Sequence, residues 1–219
     1  MGRHVPNNQA NRRYSRHYMP RCFHFQHQRK IGLLGGSFNP AHDGHLALSE
    51  QARKIAKCDE IWWLVSPQNP LKSSDNMAAF ETRLSYAREL AAGKNWLRVL
   101  DIEHQAQLSK SVDIMQLLRR RASKAQFIWL IGSDNLIQLP HWHDAKKLTY
   151  LMPFMVFRRG ADFYPSLASK GRALWCGKHQ VKTASHLFRK KPPALYIDTK
   201  FDKPISATKI RQERTEKRL

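Results

Sequence analysis

The sequence predicts an α/β protein built on a single doubly wound parallel sheet of five to six strands, with helices on both faces and a C-terminal helix. Two observations carry that expectation. Short continuous apolar runs, such as Ile31-Gly32-Leu33-Leu34 and Phe127-Ile128-Trp129-Leu130-Ile131, read as strands buried on both faces. They alternate with segments of helical apolar spacing, the βαβα rhythm of a parallel sheet.

The elements follow in order. Residues 1 to 29 are rich in Arg, His, Asn and Gln, carry no acidic residue and lack sustained periodicity, so they read as a basic, disordered extension. An Arg-rich start resembles a transit peptide, but an amphipathic helix is missing. The domain is therefore placed over residues 30 to 219. Its first strand runs from Ile31 into Gly35-Gly36. Leu48, Ala52, Ile55 and Ala56 then recur at helical spacing, marking a helix that starts near Gly44. Ile61 to Val65 is a second buried strand, and the two prolines of Ser66-Pro67-Gln68-Asn69-Pro70-Leu71-Lys72 exclude regular structure after it. A helix follows around Ala79 to Ala92, a strand near Leu97 to Ile102, a helix around Val112 to Arg121, and the strand Phe127 to Ile131. Phe154 to Phe157 and Leu195 to Ile197 read as later strands, Gly160 to Lys191 carries no clear pattern, and Ser206 to Leu219 is charged and helix-prone.

Composition excludes some classes and leaves others open. The chain has 219 residues, 42% of them hydrophobic and 10% aromatic, which suits one globular domain. No apolar run approaches the roughly 20 residues that span a bilayer. Cys22, Cys58 and Cys176 are far apart and without CxxC spacing, so neither a disulfide framework nor a zinc ribbon is indicated, and a cytoplasmic location is expected. The formal charge of +21 creates a field that attracts phosphate-bearing partners, whether nucleic acids or phosphorylated metabolites.

Doubly wound sheets bind ligands outside the carboxyl ends of their strands. Three segments fall on that edge: Gly35-Gly36-Ser37-Phe38-Asn39-Pro40-Ala41-His42-Asp43-Gly44-His45, Ile131-Gly132-Ser133-Asp134, and Ile205-Ser206-Ala207-Thr208-Lys209-Ile210-Arg211. In the first, Gly35 and Gly36 allow close approach of backbone N–H groups to an anion, and the next helix points its positive end there. His42 and His45, three apart across the loop-to-helix junction, can converge on one phosphoryl group as donors. A lone HxGH arises by chance about 0.03 times in a chain of this composition, so it persuades only in company. The segment lacks the GxGxxG of dinucleotide domains and the GK[ST] ending of a P-loop. No third ligand is spaced beside the histidines, so no protein-held metal is expected. In the third segment, Ser206 after Pro204 is an N-cap candidate, and Thr208 with Arg211 one turn on makes a second phosphate cradle.

GGSFNPAHDGH resembles the GG-x-F-[DN]-P-x-H-x-GH signature of the HxGH nucleotidyltransferases, and ISATKIR resembles their C-terminal ISST-x-[IL]-R. Within that superfamily, PQNPLK and WLIGSDNLIQLPHWHDAKKL are similar to the bacterial nicotinate-nucleotide adenylyltransferases, and the similarity runs from Lys30 to Arg211. The resemblance implies a Rossmann-like fold with ATP as co-substrate and Mg²⁺ bound through its phosphates. It implies that His42 and His45 are catalytic, that Ser37 and Phe38 line the nucleotide site with Gly35 and Gly36, and that Gly132 and Asp134 hold the adenosine. Ser206, Thr208 and Arg211 would hold the triphosphate, Trp142 would stack on the pyridine ring with His143 beside it, and Lys72 would add charge near the phosphates. Competing readings exist for single residues: Asp134 as a helix N-cap, Trp142 as a core residue, Lys72 as a solvated lysine. Two departures from the family stand out, Asn39 where Asp is frequent and Ser109-Lys110-Ser111-Val112-Asp113 in place of a tyrosine- and threonine-containing stretch.

The expected activity is adenylyl transfer from ATP to nicotinate mononucleotide in NAD synthesis, with no specific nucleic-acid or membrane partner. An adenylyltransferase for nicotinamide mononucleotide or phosphopantetheine would share both phosphate motifs. A basic nucleic-acid-binding protein is the alternative from a different class.

Overall fold

The structure, a computed structural model, describes residues 23, 25–67, 77–175 and 179–201. Its centre is a six-stranded sheet of β1 (Arg29–Gly36), β2 (Glu60–Val65), β3 (Leu97–Leu100), β4 (Ala125–Gly132), β5 (Phe154–Phe157) and β6 (Leu195–Asp198). The strand order is β3-β2-β1-β4-β5-β6, and every pair is parallel. This is the expected doubly wound sheet, with its winding reversing between β1 and β4.

Period-2 alternation divides the apolar side chains between two cores. Leu34, Ile61, Trp63, Ile128, Leu130, Met155 and Phe157 face α1 (Asp43–Ala56) and α2 (Phe80–Ala91). Ile31, Leu33, Trp62, Leu64, Phe127, Trp129 and Val156 face the opposite layer, which includes α4 (Ser111–Arg121), α5 (Ser133–Gln138) and α6 (Ala145–Leu151). Because both faces are covered, adjacent Trp62 and Trp63 are each fully buried on opposite sides. Their indole N–H groups are satisfied, donating to Glu60 Oε2 at 2.7 Å and Ser49 Oγ at 2.8 Å.

Some boundaries differ from expectation. The strand expected to reach Ile102 stops at Leu100, where its pairing with β2, its only partner among the described residues, ends at Leu64↔Leu100. Ile102 instead opens the short helix α3 (Ile102–Ala106). The unpatterned stretch contains α7 (Phe163–Leu167), α8 (Lys170–Ala173) and a 3₁₀ turn at Ala184–Arg189. Phe23, in the basic extension, has its ring 4.7 Å from Trp62 and donates its N–H to Arg121 O at 2.7 Å. Residues 1–22 of that extension and the expected C-terminal helix lie outside the described residues.

Candidate active site

The carboxyl ends of β1 and β4 lie side by side at the point where the winding reverses, and the Gly35–His45 and Ile131–Asp134 segments meet there; Ile205–Arg211 lies outside the described residues. β1 ends at Gly36, the chain turns through Ser37 to Ala41, and His42 caps α1. The cap is made by imidazoles. His42 Nδ1 accepts from Gly44 N at 3.1 Å, and His45 Nδ1 accepts from His42 N at 3.2 Å, a capping box with histidine at both ends. A neutral imidazole has one donor and one acceptor nitrogen, so using Nδ1 as acceptor leaves the proton on Nε2 in both rings. The two ring centroids lie 3.9 Å apart. Burial is the main force pushing the His42 pKa down, to about 4, with the Arg159 charge adding to it and Asp43 opposing. His42 is therefore a neutral donor at physiological pH.

Phe38 lies in the expected loop, beneath one of the two histidines. It is 1% exposed, underlies His45 with ring centroids 4.7 Å apart and stacks on Trp63 at 5.0 Å. Its φ of 46° lies in the left-handed region, a conformation that bulky residues adopt only where packing enforces it. Asn39, the departure from Asp, is buried and accepts from Ala78 N at 3.2 Å, joining the loop to the approach of α2.

Sequence reasoning missed the residue that holds this loop. Arg83 on α2 is 1% exposed, and its guanidinium donates to four carbonyls: Ser37, Ser66 at 2.8 Å, Pro67 at 2.6 Å and Ala78 at 3.0 Å. It thereby ties the loops after β1 and β2 to the start of α2. A signal was present in the sequence, since Arg83, Ala87 and Ala91 share one helical stripe and the other two are apolar.

At the tip of β4, Gly132 and Asp134 are adjacent as expected, with α5 beginning at Ser133 and Asp134 making no side-chain cap to it. Asp134 is instead paired with Arg159 Nη2 through Oδ2, while its Oδ1 is buried without a hydrogen-bond partner. A Cβ at position 132 would stand 2.5 Å from Asp134 Oδ1 and 3.1 Å from Arg159 Nε, so any larger residue there would displace this pair. Arg159 too was missed, because nothing in an Arg158-Arg159 pair after a strand separates a site residue from a solvated one.

Trp142 is partly buried and meets Trp129 edge-on at 6.5 Å, on the sheet face opposite to α1. Packing and exposure are thus combined in one ring, and neither reading of Trp142 stands alone. His143 is half-exposed, with Nε2 3.5 Å from Asp144 Oδ2. Lys72, Ser206, Thr208 and Arg211 lie outside the described residues.

A family profile described as cytidylyltransferase-like matches residues 33–213. The probable nicotinate-nucleotide adenylyltransferase of Parvibaculum lavamentivorans is 40% identical over 184 residues, 84% of this chain and 91% of that protein. That of Gluconobacter oxydans is 38% identical over 186 residues, covering 84% and 94%. The chain belongs to the nicotinate-nucleotide adenylyltransferase family. Among solved structures, the nicotinic acid mononucleotide adenylyltransferase of Plasmodium falciparum, complexed with NaAD, superposes with a TM-score of 0.61 at 18% identity, covering 84% of this chain and 83% of that one. At that identity the likeness concerns the fold. This adenylyltransferase thus joins a Rossmann-like sheet to a paired-histidine helix cap at its winding reversal.

Proposed function

We propose that the chain transfers the AMP moiety of ATP to nicotinate mononucleotide, giving deamido-NAD and pyrophosphate, and that His42 and His45 act on the transferred phosphate. The observation that carries this reading is the paired cap at the N-terminus of α1: two imidazoles held by their Nδ1 atoms, each with its proton on Nε2. A phosphate oxygen of the mononucleotide attacks the α-phosphorus of ATP; the new P–O bond forms as the bond to the bridging oxygen breaks, and pyrophosphate carries that oxygen away. The nucleophile is already an anion, so the protein supplies position and charge stabilisation in place of a strong base.

In this reading His42 and His45 donate Nε2–H to the α-phosphate oxygens, where negative charge builds in the transition state. The helix N-terminus reinforces them. Gly35, Gly36 and Ser37 frame the phosphate side, Gly132 and Asp134 the adenosine, and Trp142 with His143 the pyridine ring. Ser206, Thr208 and Arg211 hold the triphosphate with Lys72 nearby. Mg²⁺ arrives on the ATP phosphates, since it retains water and substrate oxygens as ligands. A cytoplasmic setting belongs to the same proposal. No helix among the described residues is long and apolar enough to cross a membrane.

The test is pyrophosphate release from Mg·ATP with nicotinate mononucleotide, nicotinamide mononucleotide or phosphopantetheine offered separately. Fastest release with nicotinate mononucleotide supports the reading, whereas preference for another acceptor overturns the assignment of Trp142. Loss of one transition-state donor costs about 10²- to 10³-fold in rate, so His45→Ala should slow turnover by that order while the protein stays folded. Near-normal turnover would remove His45 from catalysis.

A further inference from the structure

Arg159, like Arg83, belongs to no sequence motif, yet three observations converge on it. The first is position. β5 pairs Phe157 with Gly132, so the chain leaving β5 runs beside the tip of β4. There Arg159 is pinned by its backbone: its N–H donates to Ser133 Oγ at 3.0 Å, and that hydroxyl donates back to Arg159 O at 3.0 Å. The main chain is held and the long side chain carries the freedom. The second is its partner. The guanidinium pairs with Asp134 Oδ2, both side chains being only partly buried, at 33% and 22% exposure. Asp134 Oδ1, buried among the same residues, has no hydrogen-bond partner, so the carboxylate is incompletely satisfied. The third is reach. The positive charge of Arg159 is felt at His42, so the guanidinium lies within electrostatic range of that imidazole.

We propose that Arg159 is a nucleotide-positioning residue that exchanges partners, passing from Asp134 to the ATP polyphosphate as the ribose hydroxyls take over the Asp134 carboxylate. This rests on the adenylyl-transfer reading for where the nucleotide lies. The exchange is favourable on each side. A partly exposed ion pair is weak, whereas the planar guanidinium forms two parallel charge-assisted bonds to phosphate. Two vicinal hydroxyls can donate to both carboxylate oxygens, satisfying the orphaned Oδ1. Arg159 would thus couple the two halves of ATP: adenosine binding releases the cation that the phosphates need.

The exchange separates from a merely structural role by comparing two ligands. In wild-type protein and in Arg159→Ala and Arg159→Lys, calorimetric affinity is measured for Mg·ATP and for adenosine, which has the ribose but no phosphate. Arg159→Ala should weaken Mg·ATP by about tenfold or more while adenosine binds as well as, or better than, before, because Asp134 no longer has a competitor. Arg159→Lys should recover part of the ATP affinity, keeping the charge without the fork. In parallel, the His42 imidazole, flanked by Asp43 and His45 and relieved of the Arg159 charge, should titrate upward by NMR in the alanine variant. Weakening of both ligands together would mean that Arg159 only supports the fold of the site; unchanged or tighter ATP binding would mean that it never reaches the phosphates. Either overturns the proposal. If wild-type protein binds Mg·ATP but releases no pyrophosphate with any acceptor, the transfer reading falls, and the ligand contrast still decides the role of Arg159. Wild-type protein that binds neither ligand overturns both.

Discussion

Two buried titratable groups near the site pull stability in opposite directions with pH. His42 is held neutral, so between its ordinary pKa of 6.5 and about 4 the unfolded chain binds a proton that the folded chain refuses. Its contribution is therefore present above pH 6.5 and lost as pH falls toward 4. Glu103, on α3, is 7% exposed, and burial raises its pKa from 4.5 to about 7 against a lowering hydrogen bond with the Ser66 side chain. Here the folded chain binds the extra proton, so stability is fully present below pH 4.5 and declines as pH rises through 7. Glu103→Gln keeps the shape and removes the charge. Its urea midpoint, relative to wild type, should be higher at pH 8 than at pH 5. The same difference at both values would show that the Glu103 carboxyl is not held protonated.

Helix α2 illustrates how an element can be placed for a neighbour's benefit. Leu84, Ala87 and Ala91 bury its apolar stripe, and Arg83 lies in that stripe with a guanidinium satisfied by backbone carbonyls from three segments. Deleting it leaves those partly buried carbonyls without their donors. Arg83→Met should lower stability by roughly 3 kcal/mol, with an unchanged denaturant slope. Arg83→Lys should recover little, since three donors on one nitrogen cannot span the positions that the fork reaches. A lysine variant with a wild-type midpoint would show that the carbonyls do not depend on the fork. The His42 and His45 caps at the start of α1 depend on the same loop, so both Arg83 variants should also lose turnover.

At the scale of the whole molecule, order β3-β2-β1-β4-β5-β6 sets the tips of β1 and β4 side by side, and the chain as a whole carries a formal charge of +21. The field of such a charge concentrates polyanions and fades with salt. Raising ionic strength from about 0.1 to 1 M shortens the Debye length from about 10 to about 3 Å, so the KM for Mg·ATP should rise several-fold while adenosine affinity holds. A salt-independent KM would restrict the charge to a role away from this site. On the proposed reading the two faces of the sheet share the work: α1 and its histidines lie on one, Trp142 on the other, and a dinucleotide would cross the carboxyl edge between them.

What the sequence determined by itself was whatever depends on local pattern. Parallel strands buried on both faces must be continuous apolar runs, so Ile61 to Val65 and Phe127 to Ile131 announced themselves, and a glycine turn followed by HxGH marked both the strand end and the helix start. Helices of seven residues or fewer, such as α3, α5 and α6, complete too few turns for a period to show, and they passed unseen. Only the tertiary structure decided the charged and aromatic residues whose role depends on distant partners. Arg83 is buried because carbonyls of Ser37 and Ser66 reach it from other loops, Phe38 lies beneath His45 because Trp63 closes on it, and Arg159 meets Asp134 because β5 runs beside β4. A side chain's chemistry is written locally, but its desolvation and its counter-ion are supplied by segments far along the chain.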